Sequence, residues 1–375
     1  MAAASETIQT IARLTPLADV LAMLDLEVKP VTPRTLDLAS AAGRILAVDA
    51  MAPSRPSAAL AMLDGWALAA DATLGAGNYT PALLTQMPHR VEVGQPMPPD
   101  TDSVAPFDAV KISGDGAQVL AVINPGDGVL PAGGDCDPAI PLQRAGERLS
   151  LTDLAAFAAA GISRVTVREP RIRVLPLRGN SVISAAARLV TGDIERRGGA
   201  ARQDDAGRDL GTVLAAESAD AIVVIGGTGA GRNDTAVRLL AREGRLAVHG
   251  IALTPGQTAA FGFAGVCPVL MLPGRLDAAL AVWMMLGRRM LERLNAATLN
   301  KESEPVETLT LARKVTSTVG LAEIVPVRRN GGQAEPMAVK YLPFSSLARS
   351  DGWILVPADS EGYSAGSAVA LRPWP

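Results

Sequence analysis

A multidomain α/β protein, built on one open, mostly parallel sheet and accompanied by β-rich modules, is the fold class this sequence predicts. Two apolar runs, Ile172-Arg173-Val174-Leu175-Pro176-Leu177 and Ala221-Ile222-Val223-Val224-Ile225, read as buried parallel strands. Each is followed by a glycine turn and a helical pattern, the alternation of an open sheet that takes its ligand at strand C-termini. From about 64 to 130, and again from about 308 to 375, short apolar runs are broken by Gly, Pro and Asp, as in small β domains. With 36 Gly and 27 Pro in 375 residues, many short elements are expected, in two to four domains.

The elements follow in order. Thr15-Pro16 begins a helix with a capping hydroxyl and Pro at the first helical position, and Leu17, Val20, Leu21 and Leu24 recur at helical spacing. The stretch 36–50 runs into Pro53-Ser54-Arg55-Pro56, which leaves one compact unit for another. Strands are expected at Val91-Glu92-Val93, Ala109-Val110-Lys111-Ile112 and Val119-Leu120-Ala121-Val122-Ile123. Residues 151–168 give a helix and then a strand from Ile162 to Val167, and a helix over 277–294 closes the α/β unit. The polar stretch 298–307 reads as a linker. Strands at Ile324-Val325-Pro326-Val327, Ala338-Val339-Lys340-Tyr341, Trp353-Ile354-Leu355-Val356-Pro357 and Ala368-Val369-Ala370-Leu371 make up the final module. No internal repeat is present.

Several function classes are disfavoured by composition. The hydrophobic fraction of 48% supports an ordinary core, but with 3% aromatic residues Ala, Leu, Val and Met must fill it. Formal net charge is −3, and no run or domain concentrates the 35 Lys and Arg, so no nucleic-acid partner is expected. A small anionic ligand needs no net positive charge, because helix-start amides can hold it. Cys136 and Cys267 have no paired spacing; Cys267, in an apolar run, reads as a buried, inert thiol. His89 and His249 lack neighbouring Cys or His, which argues against zinc. Met1 to Arg13 lacks the pattern of a secretory signal and no run of about 18 apolar residues occurs, so a cytoplasmic protein without a membrane partner is expected.

Three glycine-rich turns fall where ligand chemistry belongs: Arg178-Gly179-Asn180-Ser181, Gly226-Gly227-Thr228-Gly229-Ala230-Gly231 and Leu272-Pro273-Gly274-Arg275. Glycines let backbone approach a ligand, and free amides at a helix start favour phosphate. Asp234 follows the second turn and is placed to hold a metal ion or to cap the next helix. The spacing matches neither a P-loop nor a GxGxxG fingerprint, which disfavours ATPase and dehydrogenase readings. The run from His249-Gly250 to Thr254-Pro255-Gly256-Gln257-Thr258 reads as a loop between strands, with His249 structural.

In order along the chain, these landmarks resemble those of the MoeA/gephyrin-type molybdopterin-binding family. Leu63-Asp64-Gly65-Trp66-Ala67 resembles its MDGYA signature, Gly94-Gln95-Pro96-Met97-Pro98 with Asp102-Ser103-Val104 its GAPLPxGADAV stretch, and Ala132-Gly133-Gly134-Asp135 its AGED turn. Gly226-Gly227 with Asp234, His249-Gly250 with Pro255-Gly256, Ala260-Phe261-Gly262 and Leu272-Pro273-Gly274 follow in family order. Phe344 to Gly352 and Ala365 to Val369 are similar to its last domain. The likeness runs from about residue 14 to 373. It implies a discontinuous N-terminal linking domain (14–52 and 138–170), a small β-rich domain (53–137), an open α/β molybdopterin-binding, MogA-like domain (171–297) and a C-terminal β-rich domain (306–375). It also implies an elongated homodimer with its active site between subunits. The implied activity is insertion of molybdate into adenylated molybdopterin, with Mg2+ and release of AMP.

Several positions depart from the family pattern. The leading Asp of DNSAMDG is Ala59, the Asp-Glu pair of STGDEL is Asn180-Ser181, and the lysines of KPGKP are Thr254 and Gln257. PGNP is Pro273-Gly274-Arg275-Leu276, and the threonine of RIMTGAP is Val93. Placing an oxyanion beside a phosphorylated pterin calls for cations, and magnesium calls for carboxylates. The resemblance therefore gives Asp234 and Asp135 as catalytic candidates, and Asp234, Asp204 and Asp205 as metal candidates. Ligand binding is assigned to Asp64, Gly226, Gly227, Thr228, Gly229, Pro255, Gly256, Pro273 and Gly274, with Arg178, Arg232 and Arg275 as new cations. Two functions follow: a molybdenumtransferase with a rebuilt site, or a non-catalytic carrier or scaffold for molybdopterin or finished cofactor. Further partners would be other cofactor-biosynthesis proteins or a molybdoenzyme.

Overall fold

Fully apolar, β-branched runs become central strands here because helices cover both faces of the sheet they form. The structure is a computed structural model that describes residues 9, 11–216, 219–232, 234–297 and 306–375. Residues 298–305 of the expected linker lie outside the described residues. The chain divides into two compact units, one of Met1–Val48, Ala145–Ser150 and Thr166–Pro375, the other of Asp49–Arg144 and Leu151–Val165.

The first unit holds a six-stranded sheet in the order Ala200–Gln203, Arg171–Pro176, Ala221–Ile225, Cys267–Leu272, Ala260–Ala264, Arg245–His249. The first four are mutually parallel, and Ala260–Ala264 runs antiparallel to both its neighbours. Every residue of Ala221–Ile225 is buried, and the strand's two faces separate cleanly. Val223 and Ile225 pack with Ile183, Ala187 and Val190 of the helix Ser181–Arg196, whereas Ile222 and Val224 pack with Val213, Val237 and Leu240. Period-two alternation of side chains produces this division. Asn180 caps Ser181–Arg196 by accepting the Ile183 N–H at 2.9 Å.

Several sequence expectations for local structure are corrected, three of them in the first unit. The helix expected over 277–294 is α-helical at Leu276–Val282, passes through a π-helical turn at Trp283–Gly287, and resumes as Arg288–Asn295. The widened turn accommodates Trp283, whose Cε3 lies 2.0 Å from where a Cβ on Gly287 would sit. Trp283 Nε1 donates to buried Asp193 at 2.8 Å, as does Arg288 Nε at 2.8 Å, tying this segment to Ser181–Arg196. Burial alone would raise the Asp193 pKa, but Arg288, Arg197 and the Trp283 N–H hold it below the usual carboxylate range.

At the N-terminal helix, Leu17–Glu27, Pro16 is the N-cap and Thr15 makes no side-chain cap. Thr15 instead bridges to Ile251, its N–H donating to Gly250 O at 2.9 Å and its carbonyl accepting from Ala252 N at 2.8 Å. Leu17, Val20 and Leu24 are buried, as the periodicity requires.

The third correction lies in the final module. Its sheet runs in the order Leu253–Thr254, Ala322–Asn330, Gln333–Pro336, Glu307–Leu311, Ala368–Leu371, with Gly352–Val356 also paired to Ala322–Asn330. Leu253 and Thr254 come from the loop after Arg245–His249 and pair with Ala322 and Glu323, so the α/β sheet's loop is an edge of this second sheet. Ala338–Tyr341 is not a strand: Lys340 has φ +65° and donates its N–H to the Glu323 carboxylate at 2.7 Å, which ends any ladder there.

In the second unit, Gly65–Leu68 lies between His89–Val91 and Ser103–Pro106, and Gly116–Val119 between Ala82–Leu84 and Val110–Ser113. Gly65 is required, since a Cβ there would stand 2.2 Å from Ala105 O. The strand expected at Val119–Ile123 ends at Val119, and Ile123 instead donates its N–H to buried Thr73 Oγ1 at 3.0 Å. Val93, expected in a strand, donates its N–H to Asp64 Oδ1 at 2.8 Å beyond the end of His89–Val91. Among the described residues no helix is long and apolar enough to cross a membrane.

Candidate functional site

In an open α/β sheet a crevice forms beyond the strand C-termini where successive connections leave in opposite directions. Here the chain passes from Arg171–Pro176 to Ala200–Gln203 on one side and then to Ala221–Ile225 on the other, so that point lies between the ends of Arg171–Pro176 and Ala221–Ile225. Arg178 follows the first of these strands and Gly226 to Gly229 the second.

The glycine turn depends on its residue types. Gly226 and Gly227 have φ of +98° and +72°, and a Cβ on Gly227 would meet Leu177 Cδ1 at 2.7 Å and Ala236 Cβ at 3.0 Å. Thr228 is buried, and its Oγ1 lies 3.1 Å from Thr258 Oγ1. His249 Nε2 lies 3.1 Å from Thr228 O, so this histidine braces the turn as its structural reading implied. Gly274 follows Cys267–Leu272 and abuts Gly226; a Cβ on it would stand 3.6 Å from Gly226 Cα. Three loops that the sequence separates by tens of residues thus meet at one end of the sheet.

Asp234 folds back over this turn. Its Oδ2 accepts the Gly231 N–H at 3.2 Å and its Oδ1 accepts from Arg178 at 3.4 Å, while Thr235 is the N-cap of Ala236–Glu243. Of the two roles open to Asp234, helix capping is not the one adopted. Sequence reasoning missed Gln9, which is buried here: its Nε2 donates to Gly229 O at 2.9 Å, and its Oε1 accepts the Arg238 N–H at 3.4 Å. No motif marks that residue, since its role arises from a contact more than 200 positions away.

Beside Thr258 opens a cleft of about 520 Å³ whose wall includes Thr254, Pro255, Gly256, Gln257, Arg275, Lys340 and Tyr341. Gly256, at φ +136°, lies against Val282, where a Cβ would approach Cγ2 to 2.7 Å. Gln257 Nε2 donates to Thr254 Oγ1 at 3.0 Å. Arg275 Nε donates to Asp277 Oδ1 at 3.1 Å, and its guanidinium lies 4.7 Å over the Tyr341 ring. The hydrogen bond to Asp277 pushes the Arg275 pKa up further and fixes its charge. Asp277 is buried and also accepts the Leu342 N–H at 3.1 Å. Thr254 and Gln257 therefore share a wall with Arg275 and Lys340. Lys340 was not singled out from the sequence as a site residue, because it lies outside every family motif and inside an expected strand.

The remaining candidates are scattered. Asp204 is 4% exposed and accepts from Arg173 at 2.8 and 3.0 Å and from Arg208 at 3.3 Å, so its carboxylate is the counter-ion of a buried arginine. Asp205 and Arg232 are exposed. Asp64 and Asp135 belong to the second unit, where Asp135 donates its N–H to Arg55 O at 2.8 Å. Among the described residues no three Asp, Glu, His or Cys side chains gather as a metal cage. Cys136 is buried and Cys267 half-buried; burial, with the Asp220 charge, pushes the Cys267 thiol up to about 11.

Three family models match in sequence order: the MoeA N-terminal region (domain I and II) over residues 6–161, the "Probable molybdopterin binding domain" over 189–293, and the MoeA C-terminal region (domain IV) over 308–374. A molybdopterin biosynthesis protein of Methanocaldococcus jannaschii is 25% identical over 374 residues, covering 90% of this chain and 91% of the relative. Molybdopterin molybdenumtransferase 2 of Mycobacterium tuberculosis is 26% identical over 390 residues, covering 91% and 95%. A crystal structure of the molybdopterin biosynthesis MoeA protein of Pyrococcus horikoshii superposes with a TM-score of 0.77 at 24% identity, over 96% of this chain and 99% of that one, a likeness of fold. With all three regions present in order and the fold shared along nearly its whole length, this chain belongs to the MoeA family of molybdenum-cofactor biosynthesis proteins.

Proposed function

We propose that the cleft beside Thr258 and the glycine turn at Gly226 to Gly229 together bind a molybdopterin-type ligand, and that the chain inserts molybdate into adenylated molybdopterin with release of AMP. The observation that carries this reading is the meeting of the three turns at the strand C-termini, beside a cleft with Arg275 and Lys340 in its wall. Backbone amides and threonine hydroxyls there offer donors to phosphate oxygens, and fixed cations stabilise charge that builds up on transfer. Arg275, held by Asp277 and Tyr341, is already oriented and needs no reorganisation when the ligand arrives.

Magnesium usually keeps several waters and is held by one or two carboxylates together with substrate phosphates, so a protein cage is not required. Asp234, at the glycine turn, is the carboxylate that fits this arrangement; Asp204 is committed to Arg173. When bound, the ion supplies charge neutralisation at the phosphates. The same reading has the chain act in the cytoplasm as a homodimer in which the Asp64 neighbourhood serves the partner's site, with Asp135 a catalytic candidate; a monomeric mass in light scattering would contradict the dimer.

A second reading is favoured by Asp234 and Asp204 both being satisfied by internal partners. On that reading the chain retains pterin as a carrier or scaffold and does no chemistry. Single-turnover incubation with adenylated molybdopterin, molybdate and Mg2+ separates the two. Molybdate-dependent AMP release marks the transferase, tight pterin retention without AMP the carrier, and neither result would defeat both.

A further inference from the structure

Lys340 occupies a backbone conformation that its residue type disfavours. Its φ of +65° lies in the left-handed region, open to glycine and resisted by any residue with a Cβ. The surroundings enforce it from two sides. Glu323, 1% exposed, accepts the Lys340 N–H at 2.7 Å and the Ser317 hydroxyl at 2.7 Å. Two residues on, Leu342 donates its N–H to buried Asp277 at 3.1 Å, and between them Tyr341 lies beneath Arg275. Glycine would make this turn without resistance, so a lysine held there by two buried carboxylates at the edge of a cleft points to work done by its side chain.

The charge balance of the cleft points the same way. Thr254, Gln257, Thr258 and Thr318 in its wall are neutral, the Arg275 charge is matched by Asp277, and the remaining carboxylate of the wall, Glu323, has its oxygens engaged by the Lys340 N–H and the Ser317 hydroxyl. The Lys340 ammonium makes no ion pair among the described residues. We propose that Lys340 is the specificity-determining cation of this cleft and binds a tetrahedral oxyanion, whether the ligand's phosphate or molybdate itself. The proposal rests on the reading of this cleft as the ligand site.

Two titrations by calorimetry test it, one with adenylated molybdopterin without molybdate and one with molybdate alone. They use the wild-type chain, Lys340→Gly, Lys340→Gln, Lys340→Arg, and Lys111→Gln from the second unit as a control for net charge. Losing one charge-assisted contact should weaken binding by about tenfold or more in Lys340→Gly and Lys340→Gln, in whichever titration carries the oxyanion. Lys340→Arg and Lys111→Gln should stay within about threefold of wild type. Lys340→Gly should melt at or above the wild-type temperature while binding worse, a split that a purely structural lysine would not give. Wild-type affinity in both Lys340→Gly and Lys340→Gln would overturn the role of the lysine and leave the cleft reading standing. Failure of wild-type protein to bind either probe would overturn both.

Discussion

Asp234 shows how much one side chain at a turn can be asked to do. Its carboxylate lies over Gly229 and Gly231, where Cβ atoms would come within 2.7 and 3.0 Å of Oδ2, and it pairs with half-exposed Arg178. Pairs of that exposure contribute little to stability, about 1 kcal/mol or less. Asp234→Ala should therefore melt within a few degrees of wild type while lowering molybdate-dependent AMP release at least tenfold; full activity in that variant would remove Asp234 from the site. The Cys267 thiol, pushed up to about 11 by burial, stays protonated near neutral pH and should resist alkylation at pH 7.5 in the folded chain. Labelling as fast as in denaturant would contradict the burial argument. Asp234 and the glycines around it were legible in the sequence because a strand, a glycine run and an acid follow one another within 221–234. Gln9 and Lys340 were not, since each owes its place to a fold-made contact with a distant segment.

The packing of Ser181–Arg196 against Leu276–Asn295 turns on Asp193, which carries Trp283, Arg288 and Arg197 on one carboxylate. Replacing it by asparagine leaves buried Arg288 without a counter-charge, a loss of about 3–5 kcal/mol by the usual cost of breaking a buried pair. Because the folded pKa is depressed, the stabilisation is present above the unfolded carboxylate value and is lost as pH falls through the folded value. Urea unfolding of wild type should thus weaken below about pH 4, and Asp193→Asn should be weaker at pH 7 with a flatter acid limb; equal stability of the two at pH 7 would contradict this account. Gly287→Ala forces a Cβ onto the Trp283 ring and should cost about 1–3 kcal/mol, as overpacking does. The helical period over 277–294 was readable, but the π-helical turn was not, because it answers to the Trp283 ring and to Asp193 on another helix. Ala338–Tyr341 read as a strand for the opposite reason: its local pattern was apolar enough, and Glu323 and Asp277, both distant in sequence, bend it out.

For the whole molecule, fold class and the order of parts were the most legible features, since buried parallel runs, glycine turns and β-rich modules each leave a local trace. The joining of two sheets through Leu253–Thr254 was not, because two short-range patterns carry no record of pairing with Ala322 and Glu323. That pairing sets loop 254–258 against the segment bearing Lys340 and makes the cleft. Molybdopterin binding at this cleft can be read from hydrogen–deuterium exchange of the wild-type chain with and without adenylated molybdopterin. Slowed exchange confined to 226–231, 254–258 and 338–342 is the result expected, and protection elsewhere with those three segments unchanged would contradict the assignment of the site.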